Sequence, residues 1–129
     1  MARKKPVHHH TIVIADCEKE QDDLHPNELR DFLNNLIKKI KMDVLIEPQV
    51  QYGPFGYTGI AGIVTSHVAF HYFEADKVLQ LDVYSCRKYD RDLLLKFIDS
   101  YWGVTKAHVM FIDRGTEMRL DEFEYLPNE

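Results

Sequence analysis

The sequence predicts an α+β fold: a two-layer sandwich, mainly antiparallel sheet with two helices on one face. Three observations lead there. Two segments carry apolar residues at helical spacing, several others are β-rich, and the elements follow in the order β-α-β-β-β-α-β with no internal repeat. An amphipathic helix must bury its apolar stripe on another element, and the strands supply the surface.

His8-His9-His10 reads as the lead-in of a strand whose body runs from His10 to Ala15. Cys17 to Asp23 is a charged, solvated connection. Pro26 stands where helices begin, because its missing N–H is unpaired there anyway. Behind it Leu29, Phe32, Leu33, Leu36, Ile37 and Ile40 recur at i, i+3, i+4, i+7, i+8 and i+11, which predicts a helix with a broad apolar face. Residues 43–50 alternate, with Pro48 marking an edge strand or a bulge. Gln51 to Gly56 reads as a loop with two aromatics, which serve either as a binding platform or as a cap over the core edge. Strands over roughly 58–73 and 78–87 flank a tight turn at Glu74-Ala75-Asp76-Lys77. A second helix runs from Asp90 as N-cap to Trp102, with Leu94, Phe97, Ile98 and Tyr101 on one face and Gly103 as its stop. Residues 107–112 form the last strand, followed by a turn at Arg114-Gly115-Thr116 and an acidic tail.

The 129 residues, 45% hydrophobic and 29% charged, fit one domain spanning 1–129 that buries a core without staples. A net charge of −5 argues against nucleic acid as partner, since phosphate binding wants a basic surface. Two cysteines make no disulfide framework, and no spacing suggests a zinc site, so no metal is expected and a cytoplasmic location fits. The basic start, Met1 to Pro6, precedes an apolar run at Thr11 to Ala15 that is too short for a secretory signal. No stretch has the length of a membrane span, so no membrane partner is expected.

The hairpin around residues 74–77 fixes a register. His71 then faces Gln80, Ala69 faces Asp82, His67 faces Tyr84, and Thr65 faces Cys86. One face collects His67, His71, Gln80, Asp82, Tyr84 and Cys86; the other collects Val68, Phe70, Leu79, Leu81 and Val83, a core face for the helices. The polar face has a bland reading, as the cover of a half-buried sheet or a dimer contact. It also has a chemical one, because the register sets Cys86 beside the Thr65–Ser66 peptide.

Four elements at fixed spacing carry a resemblance: Gly56-Tyr57-Thr58-Gly59, then Ser66-His67, then His71, then Cys86. With Tyr52 upstream, the Asp82-Val83-Tyr84-Ser85-Cys86 strand and the Val109 to Gly115 segment, the chain resembles the small prokaryotic S-adenosylmethionine decarboxylases. Their proenzymes cut themselves to make a pyruvoyl cofactor. The resemblance implies that Ser66 attacks the Thr65 carbonyl in an N-to-O acyl shift. Elimination then cuts the chain between Thr65 and Ser66, leaving Ser66 as a pyruvoyl group. That ketone would condense with a substrate amine and accept the electrons left by CO₂ loss. Thr58 and His71 would assist processing, and Cys86 would return a proton to the product, as a thiol of ordinary pKa about 8.5 can at neutral pH. Tyr52, Phe73, Glu74 and His67 are the candidates for holding substrate.

On one extended strand Ser66 and His71 stand about 16 Å apart and on opposite faces. Either the chain breaks at Ser66 or His71 serves a second protomer, so a homodimer with shared sites is expected, as the resemblance also implies. Three features depart from the family pattern: Thr65 replaces the usual Glu, Tyr52 replaces the usual adenine-stacking Phe and can do the same, and Tyr72-Phe73-Glu74-Ala75 replaces Thr-Trp-Pro-Glu, putting Ala75 where the family's ribose-binding Glu stands. Three readings follow: a pyruvoyl-dependent S-adenosylmethionine decarboxylase feeding spermidine synthesis, the same machinery acting on ornithine or arginine, or an unprocessed paralogue that only binds.

Overall fold

A computed structural model of the chain describes residues 8–114 and 118–127. Its strands are β1 (His8–Cys17), β2 (Val44–Tyr52), β3 (Gly56–Ile63), β4 (Ser66–Phe73), β5 (Val78–Ser85), β6 (Val104–Arg114) and β7 (Met118–Tyr125). Its helices are α1 (Pro26–Lys39) and α2 (Arg91–Trp102). The strands form one sheet in the order β2-β3-β4-β5-β1-β6-β7, antiparallel at every pairing. The first strand therefore lies inside the sheet, between β5, which ends the β2–β5 meander, and β6.

Both helices lie on one face, as expected. Phe32 of α1 meets Phe70 of β4 edge-on at 6.2 Å, and Trp102 of α2 reaches Phe70 at 5.9 Å and Tyr72 at 4.9 Å. Leu29, Phe32, Leu33, Leu36 and Ile37 are the buried stripe of α1. The stripe of α2 is wider than the spacing predicted: Leu94, Leu95, Ile98 and Trp102 are buried, while Phe97 and Tyr101 are half-buried at its margin. Pro26 opens α1. Asp90 caps α2, its carboxylate accepting from the Asp92 and Leu93 N–H groups at 3.0 and 3.1 Å, and Gly103 ends it at φ 67°.

The predicted β4–β5 register is the observed one, with His67 opposite Tyr84, Ala69 opposite Asp82 and His71 opposite Gln80. Val68, Phe70, Leu79, Leu81 and Val83 are buried beneath the helices. His67, His71 and Gln80 stand on the outer face, which neither helix covers.

Four expectations need correction. Residues 58–73 are not one strand: Val64 and Thr65 form a two-residue turn, closing a β3–β4 hairpin in which Ile63 pairs with Ser66. Strand β5 ends at Ser85, so Cys86 leaves the sheet and does not pair with Thr65. Cys17 belongs to β1 and is buried. The acidic tail is a seventh strand, β7, at the sheet edge, so the order is β-α-β-β-β-β-α-β-β. Of the expected Arg114-Gly115-Thr116 turn, Arg114 ends β6, and 115–117 lie outside the described residues. Pro48 does sit on an edge strand beside register shifts, as its ring requires, and the β2–β3 loop is shorter than expected, covering only 53–55.

Candidate active site

The β3–β4 turn carries an unusual backbone. Thr65 has φ 54°, in the left-handed region, where a β-branched residue is a genuine outlier. Two-residue hairpin turns need such angles and normally recruit Asn or Gly for them. In this turn the Thr65 hydroxyl donates to the Val64 carbonyl at 2.8 Å. The next residue is Ser66. Its Oγ accepts the backbone N–H of Cys86 at 2.9 Å, which fixes the hydroxyl at the end of the sheet. The Cys86 thiol donates to the Val64 carbonyl at 3.6 Å. Thus Val64, Thr65, Ser66 and Cys86 meet in one corner, which the predicted hairpin register had anticipated in outline.

Hydrogen bonding with the Thr65 hydroxyl, and next with Ser66, holds the Cys86 thiol below its ordinary pKa, against a smaller upward push from burial. The other cysteine is its opposite. Burial pushes Cys17 up to about 12, and its thiol donates to the Ala15 carbonyl, so it is an inert core group.

Thr58 and His71 form a second cluster on the outer face. They are directly paired across β3 and β4, and Thr58 Oγ1 lies 3.0 Å from His71 Nδ1. The glycines around Thr58 have packing reasons. Gly56 has φ 145°, and a Cβ there would stand 1.8 Å from the Tyr72 carbonyl oxygen. A Cβ on Gly59 would stand 2.3 Å from the Phe70 ring. The Gly-x-Thr-Gly pattern therefore lets β3 lie close against β4 while presenting Thr58 outward. Strand β4 runs unbroken from Ser66 to Phe73, so Ser66 and His71 remain five residues, about 16 Å, apart. No break at Ser66 brings them together.

The candidates for holding substrate separate into three places. Tyr52 donates to Glu74 at 3.1 Å and packs on Tyr57 at 4.9 Å. Register puts Tyr52 on the helix side of the sheet, with Tyr57 and Tyr72. Phe73 instead shares the outer face with His71 and is 36% exposed, so of the two aromatics it is the one beside the Thr58–His71 pair. His67 lies at the other end of β4, stacked on Tyr84 at 5.5 Å and 18°.

Sequence reasoning missed part of this outer face. His8 hydrogen-bonds the Tyr84 hydroxyl, His10 pairs with Asp82, and the Arg114 guanidinium sits 5.4 Å over the Tyr84 ring. The alternation of His8 and His10 along β1 was the available signal. No group of three or more metal-ligating side chains is found among the described residues.

Residues 8–115 match the family model described as S-adenosylmethionine decarboxylase. A protein named S-adenosylmethionine decarboxylase proenzyme from Pyrococcus furiosus is 27% identical over 111 residues, covering 85% of this chain and 79% of that protein. One of the same name from Thermococcus gammatolerans is 25% identical over 119 residues, covering 92% and 82%. Among solved structures, the adenosylmethionine decarboxylase from Aquifex aeolicus superposes with a TM-score of 0.69 at 17% identity, covering 89% of this chain and 95% of that one, a likeness of fold.

Proposed function

The chain belongs to the S-adenosylmethionine decarboxylase family, a family of pyruvoyl-dependent carboxy-lyases, and we propose that it cuts itself between Thr65 and Ser66 and then decarboxylates S-adenosylmethionine. The observation that carries this reading is the corner where Ser66 Oγ, Cys86 and the left-handed Thr65 meet.

Ser66 Oγ attacks the Thr65 carbonyl carbon. A C–O bond forms, the Thr65–Ser66 C–N bond breaks, and the hydroxyl proton ends on the freed amine. Removal of the Cα proton of residue 66 expels the ester oxygen. Residues 1–65 leave with a free carboxylate, and water hydrolyses the remaining enamine to a ketone, releasing ammonia. Thr65 strain favours the first step, since opening the peptide relaxes the turn. The Cys86 N–H orients the nucleophile from a fixed backbone position. His71, with Nδ1 tied to the Thr58 hydroxyl, keeps its ring orientation for proton removal.

The residues fit the pyruvoyl group, because the serine that would become it lies at a strand start with a thiol beside it. That group supplies the electron sink for the carbanion left by CO₂ loss. Cys86 holds a proton at Sγ next to the same atoms and returns it to the product. Phe73 offers an apolar wall beside Thr58 and His71. Glu74 keeps a carboxylate one residue before Ala75 and engages it with Tyr52, so it is the family match that favours S-adenosylmethionine over ornithine or arginine. The product would feed spermidine synthesis.

His71 lies too far along β4 to act on its own Ser66, so the reading includes a homodimer in which each protomer supplies Thr58 and His71 to the other. The uncovered outer face, with Ile14 and Ile60 about half exposed, is the surface for it.

Denaturing mass spectrometry tests the reading. The expectation is two fragments, 1–65 and 66–129, the second lacking ammonia at its N-terminus, and a single intact chain for Ser66→Ala. An intact native chain would overturn the enzyme reading and leave the binding-only one. Assays with S-adenosylmethionine, ornithine and arginine then identify the substrate.

A further inference from the structure

Away from the corner just described, a cleft of about 440 Å³ opens between the C-terminal end of α1 and the segment joining β5 to α2. That volume is within the range of small-molecule sites. Four cations line it, Lys39 and Lys41 from one side and Arg87 and Lys88 from the other. The chain's net charge is −5, so this concentration of positive charge runs against its overall balance. None of the four forms an ion pair among the described residues. Asp90 is the one carboxylate in the lining, and it is engaged in capping α2.

The end of α1 accounts for Lys39 and Lys41 in part, since cations there offset the helix dipole. It does not account for Arg87 and Lys88, which come from a different element and face the same space. Four unpaired like charges around one concavity repel one another unless an anion joins them. Ile40 and Met42 give the cleft a buried apolar floor, and Leu93, 39% exposed, gives it an apolar rim. We propose that this cleft binds a small metabolite bearing a phosphate or diphosphate group. The lysines act as point charges on it, and the Arg87 fork takes two of its oxygens. A long polyanion such as nucleic acid fits less well, because the acidic remainder of the chain would repel it. The site is independent of self-cleavage, although Arg87 and Lys88 directly follow Cys86, so an occupant would also fix the segment that carries the thiol.

Calorimetric titration of the full chain with inorganic pyrophosphate tests this, with citrate as a carboxylate comparison. The expected result is saturable one-to-one binding that weakens as NaCl rises from 50 to about 300 mM. Lys39→Gln with Lys41→Gln, or Arg87→Gln with Lys88→Gln, should each weaken binding about tenfold or more. Lys96→Gln with Lys106→Gln, outside the cleft, should leave it unchanged. Circular dichroism confirms that each variant is folded, and Ser66→Ala should bind pyrophosphate as the native chain does, separating this result from the outcome of processing. Absence of saturable binding, equal loss in the control pair, or citrate binding as tightly as pyrophosphate would overturn the proposal.

Discussion

Replacing Thr65 with glycine should slow self-cleavage. Thr65 sits at φ 54° immediately before the proposed scissile bond. A non-glycine residue held in such a region costs on the order of 1–3 kcal/mol, and the left-handed region costs L-residues roughly 1–2. Glycine adopts the angle without a steric penalty. If about 1–2 kcal/mol of ground-state strain is relieved as the peptide opens, removing it raises the barrier by that amount, or about 5- to 30-fold in rate. Thr65→Val separates strain from the hydroxyl: it keeps the branched Cβ and loses the bond to the Val64 carbonyl. Chains made by cell-free translation and quenched in denaturant at intervals give the intact fraction by mass spectrometry. Thr65→Gly should lag by that factor, and Thr65→Val should stay near the native rate. In a Ser66→Ala background, which cannot cut, Thr65→Gly should also melt a few degrees higher. Native-rate cleavage of the glycine variant, or equal slowing in the valine variant, would refute strain as the driving term.

Cys86→Ala should still be cut, because no processing bond forms at sulfur, and turnover should drop on the order of 10²- to 10⁴-fold, the usual contribution of a positioned acid. The thiol donates only when protonated, and its pKa is held below the ordinary value, so decarboxylation should decline with rising pH earlier than an unperturbed thiol would dictate; a pH–rate profile reads this limb. Ser66→Ala and His71→Ala chains, each uncut alone, should yield cut His71→Ala chains when co-expressed, and mass spectrometry of the mixture reports it; no cutting would count against shared sites. His9 is buried against Phe111 and Tyr89, and burial lowers its pKa from 6.5. The unfolded chain therefore binds the proton first, so the His9 contribution is fully present above about pH 6.5 and is lost as pH falls toward the folded value. Urea unfolding at pH 7.5 and 5.5 should show that loss in the native chain and a shallower one in His9→Gln.

The helices were legible because their signals are local: the stripe from Leu29 to Ile40, Pro26 at one start, and Asp90 and Gly103 bounding the other. The β4–β5 register was legible too, since the turn at 74–77 fixes it and parity carries it to Tyr84. Two features were hidden for physical reasons. Val64-Thr65 looks like strand because both residues are β-branched, and nothing local marks a turn that the paired strands impose on Thr65 against its preference. Strand β7 looks like an acidic tail because its charges are answered by distant partners: Asp121 by Arg91 at 2.6 Å, Glu122 by His108 at 2.6 Å and Glu124 by Lys106 at 3.3 Å. The histidines of β1 were visible, but what they touch depends on β1 entering the sheet between β5 and β6. Chain order does not predict that insertion.

The hidden turn changes the site argument. Had residues 58–73 been one strand, Thr58 and His71 would lie far apart, and only a fold elsewhere could join them. The hairpin instead puts them side by side, 3.0 Å apart, as a ready-made pair. It also puts Ser66 at a strand end, fixed by Cys86 from the neighbouring strand's exit. Each chain thus holds two halves of the proposed site that one continuous strand keeps about 16 Å apart. No rotamer change spans that distance, and bending β4 would break its pairing with both β3 and β5. The two-fold axis proposed above would complete both halves at once, because the operation that brings a second His71 to the first Ser66 brings the first His71 to the second. The separation on one strand is therefore a reason for the proposed dimer, independent of family likeness.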